Sequence, residues 1–195
     1  IINLKALHLE QYRLFFTFHA QHTFTPQEIF SYLQQQKGVY WAARIGGKYD
    51  LHVTLFVFDF EALDHFVDMF NKTFPGLVKD FLVCYVLEHH LYSHKFFSTP
   101  PTVISYGYND TFVTLDTLDK KILSTLKLNC RVSCLELAKG TDVTYKTILN
   151  RIKILEQKKV ILGYRMFISS QAYKPFILLL SFKNYSHQEE KKLYV

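Results

Sequence analysis

The apolar residues of this chain change their spacing at Leu115, and that change excludes a single uniform architecture. Before it, they come in short runs with two-residue alternation, interrupted by two helical stripes. After it, they recur at intervals of three and four. Alternation that gives way to helical periodicity implies a sheet with covering helices, followed by a helical unit. The 195 residues suffice for one or two domains. No apolar run reaches the roughly 18 residues needed to span a bilayer.

Residues 12–21 read as a strand. Thr25-Pro26-Gln27-Glu28 is a helix start: a capping hydroxyl, proline at the first helical position, and an acid three beyond the cap. Ile29, Phe30 and Leu33 form that helix's apolar face, and Gly38 ends it. Val39 to Ile45 is a second strand, Gly46 to Asp50 a turn, and Leu51 to Phe58 a third strand. Asp59 caps a helix with Leu63, Phe66, Val67 and Phe70 inward; after Pro75-Gly76, residues 78–91 hold a fourth strand. The order β-α-β-β-α-β is the ferredoxin-like arrangement.

The fold class expected is α+β, with residues 1–98 a ferredoxin-like domain. Residues 99–114, with Pro100-Pro101, Gly107 and Asn109-Asp110, read as a linker holding a short strand near Val103 to Tyr106. Residues 115–165 read as a winged helix-turn-helix domain. Leu115, Leu118, Ile122, Leu123 and Leu126 form its first stripe, with Asp116 at the helix start. Ser133-Cys134-Leu135-Glu136 is a capping box for a short helix with Leu135, Leu137 and Ala138 in the core, ended by Gly140. Thr144 caps a third helix with Ile148, Ile152 and Leu155 inward, and Val160 to Tyr164 returns as a strand in the place of a wing.

Charge divides the same way. Residues 1–109 carry a net −1, whereas residues 111–165 hold eleven Lys/Arg against five Asp/Glu. A local basic excess is what a nucleic-acid-binding module needs, because Lys and Arg displace counterions from phosphates. Cys84, Cys130 and Cys134 have no framework spacing, so they read as reduced thiols in a cytoplasmic protein.

A weak internal repeat runs through the chain. Tyr12, Phe15, Gln27 and Glu28 recur at an offset of 161 as Tyr173, Phe176, Gln188 and Glu189, while Thr25 becomes Ser186 and Phe24 becomes Tyr185. Residues 166–195 are accordingly expected to be the first strand and helix of a second copy of the N-terminal domain, truncated. By the same logic Ile1 to Leu9 follows a missing first helix-turn-helix in a tandem array.

Leu115, Asp116, Asp119, Ile122 and Leu123, then Arg131-Val132-Ser133, Glu136-Leu137-Ala138, Arg151-Ile152, Leu155-Glu156 and Val160-Ile161-Leu162-Gly163-Tyr164 resemble, without gaps, the DNA-binding domain of the leucine-responsive regulator family (Lrp/AsnC). Two positions depart. Asp142 stands at the family's turn glycine, where its tolerance of left-handed backbone is expected to preserve the turn, and Lys159 stands at the glycine before Val160-Ile161. Residues 12–91 resemble the family's effector (RAM-like) domain through the turn Gly47-Lys48-Tyr49-Asp50 on its β-α-β-β-α-β background. The resemblance implies double-stranded DNA as a partner, a homodimer or higher oligomer formed through the sheet, and an amino-acid-like effector held near that turn.

On the third helix the outward residues are Lys146, Asn150, Lys153 and Gln157, with Tyr145 and Thr147 leading. Tyr145, Lys146, Thr147 and Asn150 are the candidates for bases, since Asn pairs bidentately with adenine and Lys reaches guanine; Lys153, Lys158 and Lys159 are the candidates for phosphates. The alternative is a solvated helix face that never meets DNA. Arg151, beside the inward stripe, is assigned a structural pairing. In the turn, the backbone N–H groups of Gly46 and Gly47 suit a ligand carboxylate, Lys48 can pair with it, and Asp50 is available for an amine, with Tyr49 between them. The alternative is a plain tight turn.

No metal site and no cofactor are expected. His89-His90 with His94 is the only histidine cluster, and adjacent strand residues point to opposite faces. The chain reads as a regulator without chemistry of its own. The alternative is an enzyme on the same scaffold, since some Lrp-like proteins are siroheme decarboxylases; that alternative needs His and Arg converging on one cleft. A third reading is an interaction module whose sensor only dimerises.

Overall fold

The computed structural model describes residues 1–92, 103–107, 111–164 and 176–181. Strand β1 (Glu10–Phe18) is followed by α1 (Pro26–Gln35), β2 (Val39–Arg44), β3 (Leu51–Val57), α2 (Phe60–Thr73) and β4 (Val78–Tyr85). They form an antiparallel sheet in the order β2-β3-β1-β4, so the ferredoxin-like arrangement is present. Local chemistry sets the helix starts. Thr25 and Glu28 form a reciprocal capping box at α1, and the Asp59 carboxylate accepts the Ala62 N–H at α2.

Alternation then sorts the strands. Leu14 and Phe16 of β1 and Leu51, Val53, Leu55 and Val57 of β3 face α1 and α2. There they meet Ile29, Leu33, Leu63, Phe66 and Phe70, with Phe70 tilted 5.0 Å from Phe16 and 5.1 Å from Phe74. Each such side chain contributes roughly 1.5–3 kcal/mol by leaving water.

The fourth strand expected within residues 78–91 is β4, and a further strand, not foreseen, follows it. Val86 still donates to the Gln11 carbonyl, but β1 offers no partner beyond Glu10. The chain leaves the sheet, and β5 (Glu88–Tyr92) pairs with β6 (Val103–Gly107), the short strand foreseen near Val103. Gly107 makes this crossover possible. Its φ is +146°, and a Cβ there would lie 2.3 Å from the Leu87 carbonyl oxygen.

Helices α3 (Thr117–Leu128), α4 (Cys134–Lys139) and α5 (Tyr145–Gln157) enclose a second core of Ile122, Leu123, Leu137, Ile148, Leu155, Val160 and Ile161. Leu135 is not part of it and is 62% exposed. In a helix of six residues, Leu135 and Leu137 point nearly opposite ways, and only one of them can face inward.

The segment ahead of β1 does not lie on the first sheet. Ile2 bridges Ile161, the Asn3 N–H donates to the Val160 carbonyl and the Val113 N–H to that of Ala6, and Ile2 and Leu7 pack on the helix-turn-helix core. The strand expected over Val160 to Tyr164 is reduced to an isolated bridge at Ile161, and its partner Ile2 lies at the front of the chain.

Phe176–Leu180, expected as a strand, have no regular structure, and their side chains stay exposed. Among the described residues no strand runs beside them, and an unpaired strand is unstable in water. The helix expected around Ser186, Gln188 and Glu189, and residues 99–102 and 108–110 of the expected linker, lie outside the described residues.

Candidate nucleic-acid interface and ligand face

Helix α5 opens with the Thr144 hydroxyl accepting the Thr147 N–H, which fixes its first turn. Ile148 and Leu155 bury one side. Tyr145, Lys146, Asn150 and Lys153 are exposed, and the i, i+4 spacing sets Lys146 and Asn150 on one face at the leading half. Thr147 is half-buried, with its hydroxyl 3.0 Å from that of Thr144, so it serves the cap. Lys158 and Lys159 are exposed at the far end, next to the bridge that joins Ile161 to Ile2.

Arg151 does not join the exposed set. Its guanidinium pairs with Asp116 at 2.7 Å and Asp119 at 3.4 Å, tying α5 to the start of α3. The Asp119 N–H, with Arg151 beside it, holds the Asp116 carboxyl below the usual carboxylate range. The backbone departure also falls elsewhere than expected. Asp142 is not left-handed, whereas Lys159 is, at φ 56°. The glycine of the family pattern before Val160 thus answers a conformational need, and a lysine meets it here under strain.

In the turn after β2, Gly47 has φ +109°. The Asp50 carboxylate accepts the Phe18 N–H at 2.8 Å, and the Asp50 N–H donates to the Phe16 carbonyl, so Asp50 pins the turn to β1. Lys48 lies over the Tyr49 ring at 5.2 Å. Tyr49 itself is buried and tilts 5.5 Å from Phe15. The turn therefore leans on the sheet face opposite α1 and α2.

That face holds polar residues that the sequence reading passed over. Gln11, Arg13, Phe15, His52 and Thr54 alternate onto it by register. His52 is 4% exposed, stacks on Phe15 at 4.4 Å, and meets Trp41 edge-on at 5.1 Å. Its two ring nitrogens and Arg13 Nε are buried without hydrogen-bond partners. From the β5–β6 hairpin, His89 reaches Gln11 Oε1 and stacks on Tyr106 at 4.7 Å. Burial first, then the charge of Arg13, pushes the His52 and His89 imidazoles down to about 4. His90 turns instead to Ser105 and Glu88, the opposite-face geometry expected of strand neighbours. His94 lies outside the described residues, and among those described no group of three His, Cys, Asp or Glu gathers. An arginine flanked by Tyr12 and Leu14 inside a strand was the available signal.

Residues 115–161 match the family model described as winged helix-turn-helix DNA-binding. A leucine-responsive regulatory protein of Rhizobium meliloti is 31% identical over 81 residues, covering 42% of this chain and 52% of that protein. An uncharacterized HTH-type transcriptional regulator of Pyrococcus abyssi is 48% identical over 52 residues, covering 27% of this chain and 35% of that protein. The chain thus spans about half or less of the curated relatives it matches. Among solved structures, the siroheme decarboxylase NirDL in co-complex with an iron-uroporphyrin III analogue has the same fold over 82% of this chain and 46% of its own, with a TM-score of 0.54 at 19% identity. No helix among the described residues is long and apolar enough to cross a membrane. Residues 115–161 thus carry a winged helix-turn-helix of DNA-binding type, similar to that of leucine-responsive regulatory proteins.

Proposed function

We propose that this chain is part of a cytoplasmic, sequence-specific DNA-binding regulator that responds to a small ligand of the amino-acid class and assembles as a homo-oligomer through its sheet. One observation carries the DNA half of this reading. Helix α5 is buried on its Ile148–Leu155 side and offers Tyr145, Lys146 and Asn150 at its exposed leading half. Lys153, Lys158 and Lys159 supply phosphate contacts behind them. The ligand half rests on the Gly46–Asp50 turn, with Gly46 and Gly47 offering backbone N–H groups and Lys48 and Tyr49 at the rim. Asp50 keeps the turn in place. The test is anisotropy binding to duplexes from the gene's own upstream region. Asn150→Ala is expected to flatten the preference among sequences by roughly 1–3 kcal/mol, and Lys146→Ala to weaken binding further. Equal affinity of wild-type chain for every duplex would overturn it.

A second reading has one observation in its favour: the fold shared with NirDL spans both the sheet and the helix-turn-helix. An enzyme of that type would bind a tetrapyrrole on the face carrying His52, His89 and Arg13. Titrating the chain with an iron-porphyrin carrying carboxylates, and reading absorbance, decides it. A saturable shift favours the enzyme, and its absence favours the regulator.

A further inference from the structure

We propose that the outward face of α3 is a second nucleic-acid surface: it holds the phosphate backbone of a DNA segment other than the one read by α5, so that one helix-turn-helix carries two stretches of duplex. This goes beyond the reading of α5 and rests on it only for the choice of polyanion.

Helix α3 packs Leu118, Ile122, Leu123 and Leu126 on the core and turns Thr117, Lys120, Ser124 and Lys127 to solvent. Exposed helix faces ordinarily mix signs, because a cation and an acid three or four residues apart stabilise the helix. Helix α2 does so: Glu61, Asp64 and Asp68 share its exposed side with Lys72, which pairs with Asp68 at 2.6 Å. Helix α3 does not. The acids at its start, Asp116 and Asp119, cap the helix and are held by Arg151 of α5. Among the described residues neither Lys120 nor Lys127 makes an ion pair. Lys121 beside them donates to the Gly140 carbonyl. Lys127 complements the C-terminal end of the helix, but Lys120, in its first half, gains nothing of that kind. The face is therefore positive with no acid of its own to neutralise it, and a polyanion supplies the missing charge. Two helical turns separate Lys120 from Lys127, roughly 10 Å along the axis, which spans about three phosphates of one strand. Arg131, exposed just past the helix, extends the row. Because α3 and α5 enclose the same core, their outward faces turn in different directions, and the segment on α3 is not the one in front of α5.

The test uses the full chain and a fluorescent duplex of unrelated sequence. A chain disabled on α5 by Lys146→Ala and Asn150→Ala should still bind this duplex, with an affinity that falls as salt rises. Adding Lys120→Gln and Lys127→Gln should weaken that binding about tenfold and lessen the salt slope by about 1.8, the share of two phosphate contacts. Lys120→Arg with Lys127→Arg keeps the charge and should bind like the parent; its failure to do so would make the lysines structural and overturn the surface. With α5 intact, Lys120→Gln and Lys127→Gln should leave the preference among sequences unchanged. Two-colour fluorescence cross-correlation then reads whether a preferred and an unrelated duplex travel on one particle. Coincidence is expected for the unmutated chain and should be lost in the Lys120→Gln, Lys127→Gln chain. Coincidence that survives those substitutions comes from α5 on another copy and would overturn the α3 surface, as would unchanged binding of the unrelated duplex. Poly-glutamate bound more tightly than the unrelated duplex, charge for charge, would assign the face to an acidic protein and overturn it as well. Equal affinity of the unmutated chain for every duplex strikes the α5 reading instead, because the effect of Lys120→Gln and Lys127→Gln is read on unrelated DNA.

Discussion

The two cores of this molecule handle their polar groups in opposite ways. In the helix-turn-helix every helix start is capped: Asp116 with Asp119, Ser133 with Glu136, and Thr144 on Thr147. The guanidinium on the inner side of α5 is paired, and the remaining charge faces water. In the sheet, the face under α1 and α2 is apolar and aromatic, whereas the opposite face buries Arg13 Nε and His52 without partners. A reading head works as a rigid body whose binding groups stand outside its core. Buried polar groups left without partners cost free energy, so this face is the less self-sufficient of the two.

That contrast can be broken at four places, in descending order of effect. Phe70→Ala empties the middle of the sheet core and should cost about 3–5 kcal/mol. Chemical denaturation should then show the sheet unfolding early while the helix-turn-helix keeps its own transition. A single shared transition would mean that the two cores stand together.

Acid should weaken the sheet selectively. The His52 imidazole is held at about 4 in the folded chain against an ordinary value of 6.5. The unfolded chain therefore takes up the proton first as pH falls, so the stability tied to a neutral His52 is fully present above pH 6.5 and is lost between there and about 4. The loss should reach up to about 3 kcal/mol at roughly 1.4 kcal/mol per pH unit, and His52→Phe should flatten the slope. An unchanged slope in that variant would show that His52 is not the titrating group.

The strap ahead of β1 is the third place. Asn3 is fully buried, accepts the Ala6 N–H with its side chain, and donates its own N–H to Val160. Asn3→Ala should cost roughly 1–3 kcal/mol by unpairing buried groups. Hydrogen exchange should place that loss at residues 160–162 rather than in the sheet; loss spread evenly would separate the strap from the wing. The smallest effect runs the other way. Lys159→Gly removes left-handed strain of about 1 kcal/mol and should raise the melting temperature, even as a cation proposed for phosphate contact is lost. A lower melting temperature would mean that the lysine side chain stabilises the fold in another way.

The sequence carried most of the helices because their signals are local. Thr25 with Glu28 and Ser133 with Glu136 lie three residues apart, and Asp59 and Thr144 also find their partners within a single turn. What it left out was decided between distant residues. The bend at Val86 depends on where β1 starts, and the wing's partner lies about 160 residues away at Ile2. Arg13 and His52 become neighbours only through strand register, and neither stands near the His89-His90 pair in sequence. Lys159 shows the reverse case: the family glycine marked the position, and only the backbone angle says why.

The most direct test of the central claim is the salt dependence of DNA affinity. The full chain's binding to its upstream duplex is measured from low to high salt, alongside Lys146→Ala and Lys153→Ala. If α5 lies in the major groove, log affinity should fall linearly with log salt, and loss of the phosphate-contacting Lys153 should lessen the slope by about 0.9. Lys146→Ala should then lower affinity for the preferred duplex more than for others. A salt-independent affinity, or one untouched by either substitution, would contradict a DNA-reading α5.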